Sequence, residues 1–397
     1  MRIERLDLER LGFLSGAHLL LDRALRALEP GAALHVVGSD PALGVHLRGW
    51  CRAHAHGFAE HAAGPGYLVT RGRADLDRWT AAERAGDPSP RGLLRTPPAH
   101  WGLAARGALV EAGGSDTRRF HFDDRDVVWA DLAPRLYAHA TAAQWDPATA
   151  VDWSGADGLA PDIEAAVVQV MTYLVENEQA ALVVPARLLA RVHPYFHEVQ
   201  QLLAVQAADE ARHMEVFTRR ALLNGSQLGT SAVAGRESLN TLLDEPDFSL
   251  ASFLLSVLGE GSFLSLLSFL DEHAPDPVTR QVTRLARVDE ARHVAFGVAH
   301  LEHQAMLDPA LRGKLRAAVE RRHDALADGE GLNADVFDAL VVLAAGSWTP
   351  AAIARGHAAV TELYRAMDEG RRQRLSRLGF PDDEAKELSA LHTRNFM

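Results

Sequence analysis

One pentapeptide occurs twice in this chain: Asp-Glu-Ala-Arg-His at 209–213 and again at 289–293. Each copy has apolar residues around it at helical spacing. Each supplies a glutamate and a histidine three residues apart, Glu210 with His213 and Glu290 with His293. Positions i and i+3 share a helix face, so each pair directs a carboxylate oxygen and an imidazole nitrogen toward one point. A lone Glu-x-x-His is common by chance and ordinarily marks a surface pair. Two identical copies on apolar-flanked helices point to a metal site instead.

Two such helices, plus one glutamate from each of two further helices, make up the ligand set of dimetal carboxylate bundles. A glutamate is therefore expected upstream of each copy. Residues 249–270 read SLASFLLSVLGEGSFLSLLSFL, an apolar run with a single carboxylate, Glu260. The run has the roughly 20 residues a bilayer crossing needs. No second run accompanies it, no Lys/Arg cluster flanks it, and MRIERLDLERLGF lacks the layout of a signal peptide. A buried core helix is the expectation, and its glutamate then needs compensating groups. Glu260 precedes Glu290 by 30 residues (290 − 260), with the midpoint on Pro275 of HAPDP. Two antiparallel helices folding there bring the two carboxylates level.

The first half repeats the arrangement. In MTYLVENEQAALVVPARLL, Glu178 precedes Glu210 by 32 residues (210 − 178), with the midpoint on Pro194. Glu176 is the alternative. Helical phase favours Glu178, which shares a stripe with Val167, Met171, Leu174 and Leu182. Glu176 shares one with Gln169, Thr172, Tyr173 and Ala180, as an exposed helix charge would. Between the halves, residues 224–246 are long enough for a crossover. Asp209 and Asp289 each stand four before a ligand histidine and are expected to receive its second N–H across helices. Arg212 and Arg292 are candidates to anchor those aspartates, or are solvated helix arginines. His193, His197, His300 and His303 lie two or more turns from the metal level and read as structural or surface residues.

The remaining composition sets the context. A net charge of −12 over 397 residues argues against a nucleic-acid partner. One cysteine, Cys51, excludes an intrachain disulfide and fits a reducing cytoplasm. Residues 1–78 alternate as β-α-β-α-β-β, a small α/β domain. The run LEPGAALHVVGSDPALGVHLRGWC resembles the TusA-like sulfur-carrier domains. That family carries its reactive cysteine in a Cys-Pro-x-Pro motif at the first helix. The corresponding LGFLSGAHLL has none, so the resemblance implies a scaffold or docking module. Residues 79–155 form a connecting segment, with a short strand in RFHFDDRDVVWADL and a helix near 132–143. Residues 156–397 form the helical domain, with further helices near 310–328, 334–345 and 350–378.

Residues 160–305 resemble the ferritin-like superfamily. The paired Asp-Glu-x-Arg-His motifs are most similar to bacterial monooxygenase hydroxylase subunits and related oxidases and ribonucleotide reductase small subunits. QWDPATAVDWSG looks like the arm preceding the first bundle helix in those reductase subunits. The expected class is mainly α: a ferritin-like four-helix bundle with extra C-terminal helices behind a TusA-like α/β domain. The resemblance implies two Fe ions, or Mn/Fe, held by Glu178, Glu210, His213, Glu260, Glu290 and His293, with O2 as co-substrate. Oxygen and imidazole donors suit such metals. Phe217 stands where reductase subunits carry a radical tyrosine, and Ala286 where arylamine oxygenases add a seventh ligand. Phe253, Leu254, Val257, Phe263 and Leu264 are candidates to line an apolar substrate pocket. The function so implied is a cytoplasmic O2-dependent oxidase or oxygenase of a small organic substrate, supplied by an external electron donor. No nucleic acid or membrane partner is expected, and the N-terminal domain is a candidate for homodimerisation or docking. The alternative is a ferritin-like metal-storage protein.

Overall fold

The structure, a computed structural model, describes residues 3–113, 120–156, 158–326 and 334–393. The chain divides into two compact units, Met1–Gly92 with Ala104–Thr117, and Leu93–Leu103 with Arg118–Met397.

The first unit follows the expected order: β1 (Glu4–Asp7), α1 (Ala17–Arg26), β2 (Ala33–Val37), α2 (Leu43–Ala53), β3 (Gly57–Glu60) and β4 (Tyr67–Thr70). The sheet order is β1-β2-β4-β3. β1 runs parallel to β2, with Leu6 opposite Val36, and β4 pairs antiparallel with both β2 and β3. Helical spacing on α1 and α2 turns Leu21, Leu25, Leu43, Leu47 and Cys51 onto Leu34, Val36 and Val69, all buried. Burial pushes the Cys51 thiol up to about 11, so it behaves as a small hydrophobe rather than a thiolate. Gly66 lies at φ 107° before β4, where a Cβ would meet the Val36 carbonyl oxygen at 2.6 Å. A short ribbon, β5 (Glu83–Arg84) with β6 (Leu109–Val110), completes this unit.

The second unit is helical: α3 (Ala133–Ala142), α4 (Pro161–Leu189), α5 (His197–Leu222), α6 (Val233–Leu243), α7 (Phe248–Glu272), α8 (Pro277–Leu307), α9 (Leu311–Ala325), α10 (Ala334–Ala345), α11 (Pro350–Arg377) and α12 (Asp382–Thr393). Two antiparallel hairpins, α4–α5 and α7–α8, pack as a four-helix core, with α9 to α12 outside it. The hairpins turn at the prolines the spacing indicated. Before α8, Asp276 accepts from the Thr279 N–H at 2.8 Å and Pro277 occupies the first turn. Before α5, the His193 imidazole accepts from the Tyr195 N–H at 3.1 Å and Pro194 follows it. Both are ordinary helix-start devices.

Helix α7 is the apolar run, and it is a core helix, with 83% of its most apolar stretch buried. Its segment Phe253–Glu260 is π-helical, and every residue in it is buried. A π turn sets more residues per turn than an α-helix and re-aims the side chains at its end. Glu260 closes that segment. At one end of the bundle Arg220 joins three helices. It donates to Glu164 at 2.8 and 2.9 Å, to Asp276 at 2.9 Å and to Thr279 at 2.9 Å.

The crossover between the hairpins carries α6. Two features differ from the sequence reading. A further C-terminal helix, α12, follows Phe380. In RFHFDDRDVVWADL the strand reduces to one bridge, Phe122 with Val192, followed by a helical turn at Arg125–Val128. Asp124 caps that turn by accepting from the Asp126 N–H at 2.9 Å. The local cap outcompetes an extended run that has no second strand to pair with.

Candidate metal centre

Each core helix delivers one carboxylate-bearing face to the bundle axis. Glu178 comes from α4, Glu210 and His213 from α5, Glu260 from α7, and Glu290 and His293 from α8. All six side chains are at most 4% exposed. They form two overlapping groups: Glu178, Glu210, His213 and Glu290; and Glu210, Glu260, Glu290 and His293. Within each group one ligand atom from every residue lies within 4.8 Å of the others. Glu210 and Glu290 belong to both, as carboxylates placed between two ions would. Glu176, two residues from Glu178, is half-buried and outside both groups.

The histidines settle which nitrogen faces inward. His213 Nε2 lies 3.2 Å from Asp289 Oδ2, and His293 Nε2 lies 3.2 Å from Asp209 Oδ2. The partnership crosses between helices in both directions. Both aspartates are held below the ordinary carboxylate range: desolvation opposes this, but the hydrogen-bonded imidazoles outweigh it. An ionised carboxylate only accepts, so each Nε2 carries the proton and each Nδ1 points to the glutamates. His213 Nδ1 lies 3.0 Å from Glu210, 3.3 Å from Glu290 and 3.6 Å from Glu178. His293 Nδ1 lies 3.0 Å from Glu210, 3.4 Å from Glu290 and 4.0 Å from Glu260.

The duplicated arginines close a box around the two aspartates. Arg212 donates to Asp209 on its own helix and to Asp289 at 3.2 Å. Arg292 donates to Asp289 on its own helix and to Asp209 at 3.3 Å. Of the two readings the sequence left open for these arginines, the anchoring geometry is the one observed.

Electrostatics supplies the fit test for metal. Burial, and then the charges of Glu210 and Glu290, raise Glu178 well above its ordinary value. Burial, and then Glu290, raise Glu260 likewise. Four carboxylates in a dry core cannot all ionise without cations among them. One oxygen each of Glu178, Glu210, Glu260 and Glu290, together with His293 Nδ1, is buried with no hydrogen-bond partner among the described residues. A buried acceptor left unsatisfied is costly, and two divalent ions satisfy these together. The residues fit the metals.

This is a ferritin-like carboxylate bundle. No family model and no curated protein matches the sequence. Solved structures do align with part of this chain. Phenol hydroxylase from Pseudomonas sp. OX1 is 13% identical over 68% of this chain and 87% of its own, at a TM-score of 0.46. Two variants of an R2-like ligand-binding oxidase with a Mn/Fe cofactor are 17% and 18% identical, each over 60% of this chain and 94% of theirs, at 0.44 and 0.43. The geometry of the bundle itself, rather than these distant likenesses, carries the functional reading.

Three further residues complete the surroundings. Gln206, one turn before Glu210 and buried, donates from Nε2 to Glu260 Oε1 at 2.9 Å. Trp145 donates from Nε1 to Asp289 Oδ2 at 2.8 Å, and Gln144 donates to Asp209 Oδ1 at 3.1 Å. Helical phase puts Gln206 on the ligand face, so spacing alone could have found it. Gln144 and Trp145 lie in the QWDPATAVDWSG arm, where no periodicity indicates which helix they meet. The remaining histidines serve structure. His300 is buried between Ser249 Oγ at 2.9 Å and the Trp129 carbonyl at 3.0 Å, and burial lowers it to about 4. His193 caps the α4–α5 turn, while His197 and His303 lie outside both groups. Phe253, Leu254, Val257 and Phe263 are buried, and Leu264 is half-buried.

Proposed function

We propose that Glu178, Glu210, His213, Glu260, Glu290 and His293 hold two transition-metal ions, iron or manganese with iron. On this reading the chain is an O2-dependent oxidase or oxygenase acting on a small organic substrate. The observation that carries it is the pair of overlapping ligand groups sharing Glu210 and Glu290. Two such ions would supply redox equivalents for reducing O2.

The chain's own residues do the rest. Four carboxylates bring a charge of −4 against +4 from two divalent ions, which leaves a buried site near neutrality. Asp209 and Asp289 keep each imidazole in the tautomer whose Nδ1 faces the metals. Gln206 restrains Glu260 through one oxygen and leaves the other free. The π segment that ends in Glu260 carries Phe253, Leu254 and Val257, all buried. On this reading, apolar surroundings of that kind would exclude water and suit an uncharged, apolar reacting portion of the substrate. An external donor supplies electrons, and the N-terminal unit is a docking module for a partner or a second copy. Cytoplasmic placement fits the single buried cysteine.

The test is single-turnover O2 consumption by the reduced, metal-loaded chain with candidate substrates, followed by mass analysis. An oxidised organic product supports the reading. Consumption that yields only a ferric mineral would instead favour metal storage.

A further inference from the structure

The candidate metal centre is built from two copies of one arrangement, and its charged surroundings respect the repeat. Asp209 and Asp289 each meet the histidine of the other copy at 3.2 Å. Arg212 and Arg292 each reach the aspartate of the other copy, at 3.2 and 3.3 Å. Glu210 and Glu290 each belong to both ligand groups. Exchanging the two copies leaves every one of these contacts in place.

The repeat breaks one turn before the shared glutamates. Gln206 stands four residues before Glu210, and Ala286 stands four before Glu290. Both are buried, at 3% and 0% exposed. Gln206 reaches the lone glutamate of the other hairpin, donating from Nε2 to Glu260 Oε1 at 2.9 Å. At the corresponding place Ala286 has only a methyl group, which donates nothing to Glu178. The Ser256 hydroxyl, four residues before Glu260, is a further polar neighbour of that carboxylate, where Leu174 stands four before Glu178.

The two lone glutamates therefore differ in what is left for a cation. Glu260 has Oε1 engaged and Oε2 buried without a partner among the described residues. Glu178 has Oε1 buried without a partner, and its Oε2 lies 3.6 Å from His213 Nδ1, itself a candidate ligand atom. If Glu260 turned to present both oxygens, the Gln206 N–H would be left unpaired in a dry core, a loss of about 1–3 kcal/mol in general.

We propose that Gln206 is a positioning residue that makes the two metal positions inequivalent. It confines Glu260 to a single donor oxygen, Oε2, in the group formed with Glu210, Glu290 and His293. Glu178, opposite Ala286 in the repeat, keeps both oxygens for the other group. This inference rests on the two-metal reading above and adds that the two positions answer to different residues.

Manganese(II) titration of metal-free full-length protein tests it, with unbound ion measured from its electron paramagnetic resonance signal. Gln206→Met keeps the size of the side chain and loses the donor. Gln206→Asn keeps an amide on a side chain one carbon shorter, so it reports even if the methionine variant folds poorly. Wild type should take up two ions. Each variant should hold one ion at wild-type affinity and the other about ten-fold or more weakly, as when the outer partner of a metal ligand is removed. A side chain that merely filled space would leave both affinities unchanged in Gln206→Met, and a general loosening of the bundle would weaken both ions alike. Either result overturns the proposal while leaving the two-metal reading intact. Failure of the wild type to bind manganese would overturn that reading, and this inference with it.

Discussion

At the scale of single residues, the account makes claims that neighbouring residues can separate. Glu178→Ala should reduce the metal bound per chain, while Glu176→Ala, two residues away but outside the ligand groups, should leave it unchanged. Plasma emission analysis of reconstituted protein reads both. Asp289→Asn removes the negative charge of the acceptor that fixes His213 and leaves all six candidate ligands in place. Its metal affinity, measured by competition with a chelator, should fall about 10- to 100-fold, as for other outer partners of metal-bound histidines. His300 sets an acid limit on stability. Its folded-state pKa of about 4 lies below the unfolded value near 6.5, so its contribution is complete above that value. As pH falls from about 6.5 toward 4, the unfolded chain takes up the proton first, and on the order of 3 kcal/mol is lost. Urea titrations across that window should show a shallower decline in His300→Gln than in the wild type.

Among secondary-structure elements, the hairpins were largely written in the sequence, while of the contacts between them only the cross-helix aspartate–histidine pairs were legible there. The two Asp-Glu-Ala-Arg-His copies, the similar spacings of 32 and 30 residues back to Glu178 and Glu260, and the prolines at the midpoints locate four helices and their faces. These signals are local and periodic, so they survive without coordinates. The π segment left no such trace, because Phe253–Glu260 reads as plain apolar helix and its departure arises from packing. Gly297 of α8 shows that packing: a Cβ there would meet Ser256 Cβ, in the π segment, at 2.6 Å. Gly297→Ala should therefore destabilise the protein by about 1–3 kcal/mol, the usual cost of overpacking a tight core. A drop in the urea midpoint with an unchanged slope would be the sign. An unchanged midpoint would mean that α7 and α8 are not in contact at this level.

For the whole molecule, the metal centre ties sequence-distant parts together. The candidate ligands span residues 178 to 293, and their supports extend back to Gln144 and Trp145. The arm was visible in the sequence as a phrase, but its partners Asp209 and Asp289 are 65 and 144 residues away along the chain. Long-range hydrogen bonds of this kind have no periodic signature.

The central claim is that six side chains converge to hold two metals, and metal stoichiometry tests it most directly. Protein loaded anaerobically with Fe(II), or with Mn(II) and Fe(II), and then desalted should retain two ions per chain, because it presents two ligand groups. Glu210→Ala and Glu290→Ala should each weaken both sites at once, because each residue belongs to both groups. Retention of no more metal by the wild type than by the Glu210→Ala, Glu290→Ala double variant would contradict the account.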